Sequence, residues 1–179
     1  MRTITLQTIL TKLENDAKGQ RGCAFMILIF ALIITMMAGT AMFSVYGLVF
    51  SMFTLLPATI FLICSRKKKK HFKNKSFYIV SDTCQRKHTK CCGEDGYAYI
   101  LTFSNGVEHT ISIDDAAFVS VEKNQFDDWF YDQTELGDQF YLVYMDGDKK
   151  PTYIFHHKFC QLDTDDFEET NGKLLPKNK

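Results

Sequence analysis

Residues 22–64 form an unbroken run of 43 positions without one Asp, Glu, Lys or Arg, and no other feature constrains the fold as strongly. A single helix of that length would extend about 65 Å at ~1.5 Å per residue, roughly twice the hydrocarbon thickness of a bilayer. One span cannot absorb it, whereas two spans of about 18 residues with a short turn can. Small and polar residues gather at Gly39, Thr40, Ser44 and Gly47, which predicts helices over 23–38 and 46–64 with the turn between them. A short uncharged connector makes the pair a hairpin that returns the chain to the side it left. Pro57 falls within the second helix. Its missing N–H and the freed carbonyl of Phe53 predict a local kink of the kind membrane helices tolerate.

Orientation follows from the flanks. Lys12, Lys18 and Arg21 precede the run, and Arg66, Lys67, Lys68, Lys69 and Lys70 follow it at once, with Lys73 and Lys75 close behind. Basic residues stay on the cytoplasmic side of membrane helices, so the expected location is the cell (inner) membrane, multi-pass, with both termini cytoplasmic. A signal peptide cleaved near Gly39-Thr40-Ala41 fits less well, because the leader before the apolar stretch is long and contains Glu14 and Asp16. Within residues 1–21, Ile4, Leu6, Ile9, Leu10 and Leu13 partly fit one helical face. This cytoplasmic segment reads either as an amphipathic helix on the inner leaflet or as a frayed tail whose Thr residues lower helix propensity.

The formal net charge of zero conceals a strong segregation. Residues 65–90 carry ten basic side chains and one acid, a net of +9, while residues 91–179 carry seven basic and eighteen acidic ones, a net of −11. Residues 65–75 therefore read as a basic juxtamembrane linker whose Arg66, Lys67, Lys68, Lys69, Lys70, Lys73 and Lys75 contact anionic lipids non-specifically. The same residues serve as a stop-transfer and topology signal. Nucleic acid is not an expected partner, since the acidic remainder of the chain would be repelled by phosphates.

Residues 76–162 change to alternating periodicity and read as an all-β cytoplasmic domain. Residues 77–80, 97–103, 107–113, 116–121, 139–145 and 152–156 are β-prone, with turns at Ser104-Asn105-Gly106 and Asp146-Gly147-Asp148. Six short strands predict a small curled sheet or a partly open barrel of the SH3-like or OB-like kind. Residues 125–136 read as an aromatic, acidic crossover or loop. Its Trp129, Phe130 and Tyr131 are either core plugs or a partner-contact surface, with the core favoured because large aromatics are mostly buried. Residues 163–179, acidic and then lysine-rich, are expected to be a disordered tail.

Chemical motifs are few. The sequence has no phosphate-binding Gly-x-x-x-x-Gly-Lys loop, no dinucleotide fingerprint, no His-Glu-x-x-His and no Gly-x-Ser-x-Gly elbow. The pairs Asp114-Asp115 and Asp127-Asp128 are adjacent in sequence, so on a strand they point to opposite faces and read as solvated turn residues. Cys84, His88, Cys91 and Cys160 are weak zinc candidates, because their spacing matches neither a ribbon nor a finger. In a reducing compartment the cysteines are expected to be free thiols, and no cofactor is expected.

The segment Gly137-Asp138-Gln139-Phe140-Tyr141-Leu142-Val143, followed by Tyr153-Ile154-Phe155-His156-His157-Lys158-Phe159-Cys160-Gln161-Leu162, resembles the closing hairpin of a group of bacterial membrane proteins. These uncharacterised proteins have two transmembrane helices and a small C-terminal cytoplasmic β domain. In them a Gly-Asp-x-Phe-Tyr-Leu-Val strand precedes an Asn-x-Lys-x-x-x-Leu end, and here histidine replaces the Asn. The likeness covers the last third of the β domain and implies an architecture without an activity. The expectation is thus a membrane α-helical hairpin plus an all-β domain, non-enzymatic, binding an unknown protein partner or another copy of itself at the inner leaflet. The alternative is an accessory subunit of a membrane enzyme or transporter, which the lack of ionisable residues in the spans does not favour.

Overall fold

The computed structural model describes residues 2–38, 45–92, 96–112, 115 and 126–177, and leaves the side chains of 31–32, 34–38 and 45–55 undescribed. The expected turn at 39–44 and the expected strand at 116–121 lie outside the described residues, as does Asp114. The chain divides into two units, one of residues 10–74 and the other of residues 1–9 with 75–179.

The helical unit is a hairpin of α1 (Leu6–Ala38) and α2 (Val45–Asn74). Both helices run far past the apolar stretches. α1 starts where Thr5 caps it: the Thr8 N–H donates to Thr5 Oγ1 at 3.2 Å, so a threonine expected to weaken the helix begins it instead. The N-terminal segment is helical from Leu6 rather than a frayed tail. Ile9 and Leu13 are fully buried, and Leu6, Leu10 and Ala17 nearly so, which makes the expected amphipathic face a buried stripe. The basic segment 65–75 is likewise the last turns of α2 rather than a linker. Lysine is a good helix former, and His71 and Lys73 in the last turn face the negative end of the helix dipole. Lys75, at φ 49°, ends the helix in the left-handed conformation. α2 passes through Pro57 without interruption. Among the described residues no helix is long and apolar enough to cross a membrane, so the spanning lengths expected for 23–38 and 46–64 are not met there.

The other unit is built on β2 (Phe77–Cys91), a 15-residue strand where the sequence promised only 77–80. Its first half pairs antiparallel with β5 (Gln139–Met145), from Phe77 opposite Met145 to Thr83 opposite Gln139. Its second half pairs with β3 (Tyr97–Phe103), from Cys84 opposite Phe103 to Cys91 opposite Tyr97. The exchange of partners falls at an irregularity between Cys84 and Arg86, where an extra residue bends a strand and increases its twist. β3 turns through Gly106 (φ 77°) into the short β4 (Glu108–Thr110), and β5 turns through Gly147 (φ 82°) into β6 (Tyr153–His156). Both hairpins follow the turn chemistry of the sequence.

The strand order β4-β3-β2-β5-β6 forms no closed barrel. Beyond it, β7 (Cys160–Leu162) pairs in parallel with β1 (Arg2–Ile4), so the N-terminal strand is held by the β unit. The tail expected to be disordered forms the hairpin β8 (Phe167–Thr170) and β9 (Lys173–Pro176), with Leu174 opposite Ile79 of β2. Phe167 and Pro176 are buried, which supplies the apolar anchorage that the local charge conceals.

The domain is not all β, because residues 126–133 form α3 (Phe126–Gln133). Phe126 and Phe130, four residues apart, share one helical face and are buried with Cys84, Leu101, Phe103, Phe140 and Leu142. Lys87 of β2 donates to the carbonyls of Tyr131 (2.6 Å) and Thr134 (2.8 Å), a cation at the helix C-terminus.

Candidate functional site

Arg21, just before the uncharged run, and Ser65, just before the first cation after it, meet. Ser65 is fully buried, its Oγ donates to the Ala17 carbonyl at 2.8 Å, and it accepts the Arg21 Nε–H at 3.0 Å. A serine hydroxyl bonded to a helix carbonyl lets the two helices approach closely, and Arg21 is fixed at the edge of the run.

On one side of this level the exposed side chains are large and apolar. Phe25 (64% exposed), Met26, Phe30 and Ile33 stand out on α1, and Leu56, Ile60 and Ile63 (61%) on α2. On the other side lie charged side chains, several of them paired. Lys12 and Lys68 both reach Asp16, at 2.8 and 3.8 Å, and Lys18 pairs with Glu14 at 2.8 Å. Of the residues expected to touch lipid, Arg66, Lys67, Lys69, Lys70 and Lys73 are exposed. Lys68 is turned onto Asp16 of α1, and Lys75 is half-buried at the end of α2.

The β unit holds two His–Asp pairs that the sequence did not disclose. Asp115 is buried and accepts from His109 Nε2 (3.0 Å), the Ser112 N–H (3.0 Å), Ser112 Oγ (3.2 Å) and the Ile154 N–H (3.1 Å). Sequence reading treated it as a solvated turn residue. Instead it ties the chain after β4 to β6, with four donors offsetting the cost of burying its charge. Asp138 accepts from His156 Nε2 (3.0 Å) and the Glu135 N–H (2.7 Å), and pairs with Lys158 (2.9 Å). Burial alone would raise its carboxyl, but these donors hold it below the ordinary value. Burial also lowers His156, against the opposing pull of Asp138, while the bond to Asp138 raises Lys158.

Among the described residues no activated nucleophile stands beside these pairs. Ser112 gives its proton to the Asp115 carboxylate rather than to a histidine. Cys84 sits in the core with its thiol raised by burial, and Cys160 is raised to about 11 by the same cause, so both stay protonated. Cys91 and Cys92 are exposed. The zinc candidates do not converge: Cys84 and Cys91 lie toward opposite ends of one segment of β2, with His88 between them, and Cys160 is on β7. Among the described residues no three His, Cys, Asp or Glu side chains gather as metal ligands.

Phe130 is buried, the core placement favoured for it from the sequence; Trp129 packs on Phe159 and Tyr131 on Tyr99, with ring centroids 4.9 and 4.8 Å apart. Core filling takes the whole aromatic cluster because one short helix must cover an open sheet. The residues missed by sequence reading, Ser65 above all, carried one available signal: Arg21 directly precedes the uncharged run, and Ser65 is a polar residue directly before the first cation that follows it. In comparison with known proteins, no family model, no curated protein and no solved structure matches the chain.

Proposed function

We propose that the helical hairpin anchors the β domain at the inner leaflet of the cell membrane, where the domain acts as a non-enzymatic module that binds a protein partner or a second copy of itself. One observation carries this reading: large apolar side chains at 25–33 and 56–63 stand exposed on both helices and give way to charge at the level of Arg21 and Ser65. Water disfavours so much contiguous apolar surface, whereas lipid accommodates it and takes the cations at its edge.

Two further features support the arrangement. β1 and β2, which precede and follow the hairpin, belong to the same unit, so both ends of the hairpin lie on one side of whatever it enters. The cations of α2 follow the uncharged run directly, which favours the cytoplasmic side. Among the described residues of the β domain, Tyr97 (67% exposed) and Leu136 (64% exposed) are large apolar side chains left open to a partner.

Alkaline carbonate extraction of membranes from expressing cells tests the anchor, with retention in the pellet expected and release overturning it. A cysteine placed at Ser44 should react with an impermeant reagent from outside intact cells, and one at Lys177 should not. The reverse pattern would overturn the orientation. Crosslinking in cells that recovers neither a reproducible partner nor a self-adduct would count against the binding role.

A further inference from the structure

We propose that the groove between α1 and α2 beside Arg21 is a binding site for a phosphate group, presented by the headgroup of an anionic phospholipid. The inference rests on the membrane reading above for its source of phosphate, and on the helical unit alone for its geometry. A cleft of about 130 Å³ opens there, lined by Glu14, Ala17, Lys18, Arg21, Lys69 and Phe72. The first four stand at i, i+3, i+4 and i+7 of α1 and the last two at i and i+3 of α2, so each helix presents one face to the cleft.

The charges are distributed as an anion site requires. Lys18 and Glu14 neutralise each other at 2.8 Å. That leaves Arg21 and Lys69, and among the described residues neither forms an ion pair. Arg21 spends only its Nε–H on the buried Ser65 Oγ, which orients the guanidinium and leaves its Nη groups to form the two-pronged contact that suits phosphate oxygens. Ala17 keeps the floor of the cleft small, and Phe72 gives it an apolar wall.

Depth argues for a lipid. Arg21 immediately adjoins the uncharged run, so a ligand held by it lies at the boundary where hydrocarbon gives way to headgroup. Basic pockets between helices on the cytoplasmic side are a general form of anionic headgroup recognition. The generic attraction of exposed lysines has no cleft and no fixed donor.

The test is calorimetric titration of the full chain in neutral-detergent micelles with dioctanoyl phosphatidylglycerol, dioctanoyl phosphatidylcholine and sodium phosphate in separate runs. Phosphatidylglycerol should bind the wild type at about one per chain, and R21A/K69A should weaken it about thirty-fold, the loss of two cations near a surface. R66A/K70A removes equal charge outside the cleft, where only diffuse attraction to the anionic lipid is lost, and should weaken binding far less than R21A/K69A does. Lys69→Glu and Lys70→Glu repeat the comparison at two exposed positions where lost packing is not at issue.

Equal losses in the cleft and control variants would overturn the site in favour of diffuse attraction. Equal binding of phosphatidylcholine would overturn its preference for an anionic lipid, and tighter binding of sodium phosphate would assign the cleft to the free ion. Carbonate extraction is independent of all four variants, so failure of the anchor and failure of the cleft are separately visible.

Discussion

Arg21 donates its Nε–H to Ser65 Oγ over 3.0 Å, joining the residue before the uncharged run to the polar residue at its far end across 44 positions of chain. The hairpin is thereby closed in register at its charged end, and the bond is sheltered because Ser65 has no exposed surface. Bonds of a buried hydroxyl are worth more when their loss strands a partner.

Ser65→Ala removes the hydroxyl that serves both Arg21 and the Ala17 carbonyl. It should cost about 1–3 kcal/mol, as expected when buried polar groups lose their partner. Thermal unfolding of the full chain in detergent, followed by circular dichroism of the helices, should show a lower midpoint. Ser65→Thr keeps the hydroxyl and should recover part of the loss.

Phe130→Ala empties the centre of the α3 core, where Phe130 meets Phe126 at 5.1 Å and Phe140 at 6.1 Å between ring centroids. Truncations of this kind cost about 3–5 kcal/mol. Tyr97→Ala, at a side chain 67% exposed, should change stability by no more than about 0.5 kcal/mol. Urea unfolding of the two variants should separate them, and similar midpoints would contradict the burial of the aromatic helix.

Acid should destabilise the β domain. The folded state holds Asp138 and His156 below their ordinary values, so in both cases the unfolded chain binds protons more readily. The contribution of His156 is complete above its ordinary value of 6.5 and is lost as the pH falls below that value toward the folded one. That of Asp138 is complete above 3.8 and fades at lower pH. Burial lowers His157 as well, so its contribution has the same sign as that of His156. Urea midpoints should therefore fall between about pH 7.5 and pH 5.5, and His156→Gln should reduce that slope while leaving the His157 part.

Thiol reactivity should follow burial. Cys91 and Cys92 are exposed, whereas Cys84 and Cys160 are buried with raised pKa values. Brief maleimide treatment near neutral pH, followed by peptide mass analysis, should modify the first pair and spare the second until urea is added. Cys23 and Cys64 are exposed in the helical unit. Because they border the uncharged run, they should react in denaturant and be shielded in membranes.

Much of the architecture was legible in residue order. An uncharged run too long for one span specifies a hairpin, and period-two alternation around Asn-Gly and Asp-Gly turns specifies the β3–β4 and β5–β6 hairpins, because these signals are local. The continuation of α1 and α2 into charged sequence was not legible. It depends on Asp16 meeting Lys68 and on Ala17 meeting Ser65 across two helices, and single-segment periodicity does not register such contacts. The same holds for β2, whose second half looks polar and earns its strand geometry from β3, and for β9, ordered by one neighbour at Ile79.

Residue order by itself determined where charge ends and apolar surface begins, how many times the chain turns back, and which segments alternate. Tertiary structure alone decided that Asp115 is a buried acceptor rather than a turn residue, which neighbours Phe130 packs against in the core, and that Arg21 and Lys69 face one cleft. The physical reason is common to all three. A polar or aromatic side chain takes its role from the groups that surround it after folding, and some of those groups come from distant segments, as the bond from the Ile154 N–H to Asp115 across 39 positions shows.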